Sequence, residues 1–353
     1  MTLELPDPRR FEHFEPSPLM RAAEDFAAGE NTSRQLLLTG LACKISSMLQ
    51  HGDESAVRDA MSHPSSSAAA RALCQALDTA LTPPSENRGV RLHLFAIPVL
   101  FVVGAQSAQR ISGVLGDTDA IRSLFEKSGA LGHCRNFGIS NALTAMESVD
   151  AISWSTLYSM AQSHSWDAST GIDLAPADID VSAERETVHL RFISGAALIP
   201  ADAPAFVAAA GNVGHWGLQL TKELGRQLGT PDVSLLAIPR APRSIVRATR
   251  EGWYAARELG FQLFLSNALR QARMRVGEPD FTISSGSDQT IRIRLTSPFD
   301  DLFDQTYGWP LANTDDLNEI ATSIMSLLED ARVERMQVVP TVEEVVDAKR
   351  AAH

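Results

Sequence analysis

Three glycines recur at three-residue spacing in the stretch AAAGNVGHWGLQL: Gly211, Gly214 and Gly217, with His215 and Trp216 between the last two. Glycine leaves backbone N–H groups accessible, and at a helix N-terminus such groups cradle a phosphate or carboxylate. Gly211, Gly214, His215 and Gly217 are therefore a candidate anion loop. The Gly-Lys-Ser/Thr ending of a phosphate-binding Walker loop is missing, and so is GxGxxG directly after a strand. A plain glycine turn, with Trp216 packed and His215 at the surface, stays open.

A second candidate is SPFDDLFDQTYGWP, which places Asp300, Asp301 and Asp304 within five residues. On a helix, Asp300 and Asp304 share a face one turn apart and can hold a hard cation such as Mg²⁺. The competing explanation is a capped helix start, with Ser297 as cap, Pro298 in the first turn and acids at the positive end of the helix dipole. Asp315 and Asp316, then Glu343 and Glu344, repeat that acid-first arrangement. Cys134 lies between His133 and Arg135, a setting that can lower a thiol pKa, although adjacent side chains seldom point together. Neither HxxxH, CxxC nor HExxH occurs, and no cofactor is implied.

The third candidate is a charge pattern. Residues 240–294 hold ten arginines against five acids, in a chain of formal charge −12. Arg243, Arg247 and Arg250 fall at i, i+4 and i+7, with Trp253, Tyr254 and Arg257 beyond them, and Arg292 and Arg294 share the polar side of a strand. Two elements can thus join in one basic face for a protein surface or a nucleic-acid backbone. A solvated face paired with the abundant acids is the alternative. Only four lysines accompany 27 arginines among the basic residues, and guanidinium favours forked contacts with carboxylates.

These residues must be positioned by a chain of 353 residues, 44% hydrophobic and 21% charged, which is globular in composition. Its acidic balance argues against a general nucleic-acid coat. Three scattered cysteines make no disulfide framework, and the first residues lack a signal-like apolar run, so a cytoplasmic protein is expected. The organisation expected is an arm over 1–17, a helical region over 18–84, and α/β regions over 85–230 and 231–353. The fold class is α+β or irregular α/β: a helical N-terminal region, a mixed body with short buried strands, then a C-terminal hairpin and helices.

The run RLHLFAIPVLFVVGAQ, residues 91–106, is too short for a membrane span and carries Pro98. It is expected as a buried strand, with Pro98 at an edge, bulge or break. Helices are predicted within 116–132 and across ISNALTAMESVDAISWSTLYSMAQ, and strands at TVHLRFIS and PDVSLLAIP. A further helix runs from APRSIV to Gly260 with Pro242 in its first turn, and a hairpin forms in FTISSGSDQTIRIRLTS. The tripeptide AIP (96–98, 237–239) and the tetrapeptide SNAL (140–143, 266–269) recur in the same order and raise the idea of a duplicated unit.

Three function classes follow. The favoured one is a non-enzymatic protein that assembles with itself or a protein partner through the Arg-rich face: Arg243, Arg247, Arg250, Trp253, Arg257, Arg292 and Arg294. The second is an enzyme on a phosphorylated or nucleotide ligand, using the glycine loop and the Asp300/Asp301/Asp304 cluster. The third is a nucleic-acid binder using the basic 240–294 face.

Overall fold

A computed structural model describes residues 9, 17–29, 31–82, 90–132, 134, 136–162, 174–183, 185–200, 213–275, 277–286, 289–297, 299–300, 302–333 and 335–339. The fold is mixed α+β and divides into two compact units. One comprises Gly29–Asp59 and Leu73–Ala256. The other comprises Met1–Ala28, Ala60–Ala72 and Arg257–His353.

The first unit is built on strand β1 (Val90–Ala105), followed by β2 (Gln109–Ile111), β3 (Asn136–Thr144), β4 (Ile179–Val181), β5 (Thr187–Pro200), β6 (Val233–Pro239) and β7 (Arg243–Ser244). Its main sheet has the order β3-β5-β1-β6, all antiparallel, with β7 also pairing β1. Phe95, Ile97, Val99, Phe101 and Val103 join one core, with Ile121 and Phe125 from helix Thr118–Ser128 and Trp216, Leu220 and Leu224 from helix Val213–Leu228. Leu92, Leu94 and Ala96 join another on the opposite face, with Phe192, Leu157, Ile245 and Ala248. Successive side chains of a strand point to opposite faces, so a strand covered on both sides reads as an unbroken apolar run. That is why 95–105 looks like a membrane segment. Among the described residues, no helix is long and apolar enough to cross a membrane.

Pro98 sits where the neighbour of β1 changes. Strand β6 pairs with Val99–Ala105 and β7 with Phe95–Ala96, and the Pro98 carbonyl accepts from Arg240 N at 2.8 Å. The missing N–H points into the gap between the two partners, where no ladder bond is lost. Gly195 is required at the crossing of β5 with β3 and β1. A Cβ there would strike the Gly138 carbonyl oxygen and come within 2.7 Å of Phe95 Cζ.

Several expectations are corrected. Residues 136–144 are strand, not the start of a long helix, and the helical part is split into Met146–Asp150 and Trp154–Gln162. The strand bulges between Ile139 and Leu143, where the Asn141 carbonyl accepts from Leu115 N and Leu143 N donates to the Gly113 carbonyl. Tertiary pairing thus overrides a helix-like pattern. SNAL is strand at 140–143 and helix at 266–269, so the shared tetrapeptide marks no repeated unit. Pro242 precedes β7, and the helix starts only at Ile245 and runs to Arg275, well past Gly260. Two strands of this sheet are long, β1 at 16 residues and β5 at 14, while β7 has only two.

In the second unit, β8 (Asp280–Ser285), β9 (Thr290–Thr296), β10 (Asp304–Pro310) and β11 (Met336–Val339) form a sheet of order β10-β9-β8-β11. The expected β8–β9 hairpin is present, and β11 closes the sheet parallel to β8. The core combines Phe281, Ile283, Ile291, Ile293, Leu295 and Trp309 of the sheet with Phe261, Leu265, Ala268 and Ala272 of helix Ile245–Arg275. Ile320, Ile324 and Leu328 of helix Leu317–Asp330 complete it. That helix is capped by Asp316, whose Oδ1 accepts from Asn318 N at 2.9 Å.

Candidate docking groove

The glycine-rich candidate is not a loop ahead of a helix over its described part. Gly214, His215 and Gly217 lie in the first turns of helix Val213–Leu228, and Gly211 lies outside the described residues. Gly217 is buried, and its Cα lies so near strand β6 that a Cβ would sit 3.4 Å from Pro239 Cγ. Next to it, Thr221 Oγ1 donates to the Ala237 carbonyl at 2.7 Å. The glycine serves close helix-to-sheet packing. Trp216 is fully buried, edge-on to Phe125, and His215 is exposed beside Gln219.

The acidic candidate changes element as well. Asp304 opens strand β10, so it shares no helical face with Asp300, and Asp301 lies outside the described residues. Asp304 accepts from Arg294 Nη2 at 2.6 Å and Nε at 2.9 Å, and that guanidinium holds its carboxyl below the ordinary value. Asp300 Oδ1 accepts from Leu302 N at 2.9 Å. Among the described residues, no group of three or more His, Cys, Asp or Glu gathers to hold a metal ion. Cys134 packs against the core, where burial pushes its thiol pKa up to about 12; His133 and Arg135 lie outside the described residues.

Most arginines of the candidate face have acceptors within their own unit. Arg243 stands in β7 and Arg247 in the following helix, and both clamp Glu251, at 2.9 Å and 2.6 Å. Arg250 hydrogen-bonds the buried Cys74. Trp253 and Tyr254 meet edge-on at 5.4 Å. In the second unit Arg257 is buried, bound to Asp315 at 2.5 Å and to the Pro310 carbonyl at 3.0 Å. Arg9 is buried beside it, donating to the carbonyls of Ala312 at 2.8 Å and Asp315 at 2.7 Å. Arg294 is taken by Asp304, and Arg292 is half-buried on the same strand.

Two polar clusters that the sequence did not single out are also internal. Glu54 caps helix Trp154–Gln162: its Oε2 accepts from Ser153 Oγ at 2.5 Å and Ser155 N at 3.1 Å, and its Oε1 from Arg58 Nε at 2.6 Å. Burial works against the charge, but the hydrogen bonds from Ser153, Ser155, Trp154 and Arg58 prevail and hold its pKa at about 2. Arg191 donates to the carbonyls of Ala177, Asp178 and Leu190, while Arg110 pairs with Asp178 at 3.2 Å and Asp180 at 3.3 Å. Burial, with Arg191 nearby, holds the His189 imidazole below its ordinary value. Each donor in these sets has a structural acceptor.

The arginines with least internal use stand elsewhere. Arg270 and Arg273 border a groove of about 610 Å³ within the second unit. Helix Ile245–Arg275 supplies one wall with Gln262, Leu265, Ser266, Leu269 and Met274. Leu327, Asp330 and Ala331, at the end of helix Leu317–Asp330, supply the other. Leu265 is the buried floor, and Met274 on the wall is 74% exposed. Arg270 contacts only Asn267 among the described residues, at 3.0 Å, and Arg273 has no partner among them. With two cations on one bank against the single Asp330 carboxylate on the other, the apolar trough has a net positive rim, which suits a segment that is both apolar and acidic. The sequence predicts this helix only as far as Gly260, whereas it runs to Arg275. The helical periodicity of Phe261, Leu265, Ala268 and Ala272 beyond that glycine signals the longer helix that supplies the groove wall. No family model, no curated protein and no solved structure matches the chain.

Proposed function

We propose that the chain is a non-catalytic assembly protein that takes an acidic, apolar protein segment into the groove between helices Ile245–Arg275 and Leu317–Asp330. The observation that carries this reading is the pairing of the exposed Met274 with Arg270 and Arg273 along one apolar trough. The proposal takes Arg270 and Arg273 as the basic partner-binding residues; what supports this is that Arg243, Arg247, Arg257 and Arg294 already bind Glu251, Asp315 and Asp304. An open trough favours a chain segment over a small molecule, since small-molecule sites enclose most of their ligand. The same internal pairing weakens the nucleic-acid alternative, which needs cations available to phosphate. The proposed compartment is cytoplasmic, in keeping with three unbridged cysteines.

A photo-crosslinking side chain at Met274, introduced into the full chain in its native host, tests the proposal. One defined protein product, this chain or another, that disappears when Arg270→Glu and Arg273→Glu are added, supports it. Absence of a product, or products indifferent to the charge reversal, overturns it.

A further inference from the structure

The β9–β10 turn carries two of the most exposed large apolar side chains of the described residues, Phe299 at 78% and Leu302 at 88%, three positions apart. Their exposure is built in rather than slack. Ser297 Oγ accepts from Phe299 N at 3.0 Å, Asp300 Oδ1 from Leu302 N at 2.9 Å, and the Asp300 carbonyl from Phe303 N at 3.0 Å. Phe303 then anchors the base of the turn in the core at 3% exposure, and Arg294–Asp304 ties the two strands below it. Short side-chain-to-backbone bonds of this kind pre-set a turn, so little ordering remains to be done on binding. Through its described residues the turn therefore presents an aromatic ring, a branched aliphatic group and the Asp300 carboxylate.

Those are the features for which the groove is built: an apolar trough walled by Leu269, Met274 and Leu327, with Arg270 and Arg273 on its rim. Resting on the groove reading above, we infer that its occupant is the Phe299–Leu302 turn of a second copy of this chain. Phe299 and Leu302 leave water against the trough while Asp300 faces the two guanidiniums. Turn and groove are different patches, so the contact is heterologous: one copy offers its turn and the other its groove. Apolar burial supplies the affinity, and the charges set the orientation of the turn.

Sedimentation velocity on the full chain over a concentration series tests this, using Phe299→Ser/Leu302→Ser, Arg270→Glu/Arg273→Glu, and an equimolar mixture of the two variants. All four substitutions are at the surface and leave the core untouched. The expected result is self-association of the native chain, weakened by about tenfold or more in each variant. In the mixture a one-to-one complex returns, because one variant keeps an intact turn and the other an intact groove. A native chain that stays monomeric overturns the inference, as does a mixture of two monomeric variants that fails to recombine. Association that survives Phe299→Ser/Leu302→Ser but is lost in Arg270→Glu/Arg273→Glu overturns the turn as occupant and leaves the groove standing. The Met274 crosslink judges the groove independently, through any product that depends on Arg270 and Arg273, whether with this chain or with another protein.

Discussion

Arg257 Nη1 meets Asp315 Oδ2 at 2.5 Å, with side chains only 6% and 3% exposed. The pair is the hub of the second unit. Asp315 Oδ2 also accepts from Ala312 N at 2.8 Å, the Arg257 guanidinium lies 5.0 Å from the centroid of the Trp309 ring, and Arg9 donates to the Asp315 carbonyl. An arginine that belongs by sequence to a basic surface stripe is thus an interior strut.

Removing one partner leaves the other charge buried without its counterion, which costs about 3–5 kcal/mol. Arg257→Met and Asp315→Asn are each expected to lower the denaturant midpoint of this unit strongly. The double variant is expected to be less destabilised than the sum of the two. A double-mutant cycle in urea, followed by tryptophan fluorescence and by hydrogen exchange in this unit, measures that coupling.

Glu54 makes stability depend on pH with a definite sign. Its folded pKa of about 2 lies below the ordinary 4.5, so its contribution is fully present above pH 4.5 and is lost as pH falls toward 2. Glu54→Gln is expected to cost on the order of 2–3 kcal/mol at neutral pH and little near pH 2. Urea titrations of both proteins at several acidic pH values should show the gap closing over that window.

Gly195→Ala tests the tightest backbone approach in the first unit. The new methyl meets the Gly138 carbonyl and Phe95, neither of which can yield without parting β3 from β5 or shifting a core ring. The expected loss is about 1–3 kcal/mol or more, with hydrogen exchange speeding up first in β3. Gly214→Ala is the control: a Cβ there meets nothing within 4 Å. In a helix it should be neutral or gain a few tenths to about 1 kcal/mol.

The cysteines separate by environment. Cys43 is exposed, while burial drives the Cys134 thiol to about 12, far from the thiolate that reacts. Iodoacetamide at pH 8 should alkylate Cys43 at least about 100-fold faster than Cys134, read by peptide mass spectrometry. Equal rates would show Cys134 to be activated after all.

Sequence alone determined the features that depend on a few neighbouring residues. The mixed fold class, the helix within 116–132, the β8–β9 hairpin and the apolar strand at 90–105 were all legible, because periodicity, caps and turn residues act over one or two turns of chain. Pro98 was legible as a break, but the switch from β6 to β7 that explains it was not. Tertiary structure decided the rest. SNAL is strand at 140–143 because Val114 and β5 are there to pair with it, and helix at 266–269 because a core face lies beneath it. Asp304 became the first residue of a strand, and Arg257 turned inward, because their partners Arg294 and Asp315 lie 10 and 58 residues away. Charge on a sequence has no direction. Only packing decides which arginines are satisfied inside and which, like Arg270 and Arg273, are left at the rim of an apolar groove.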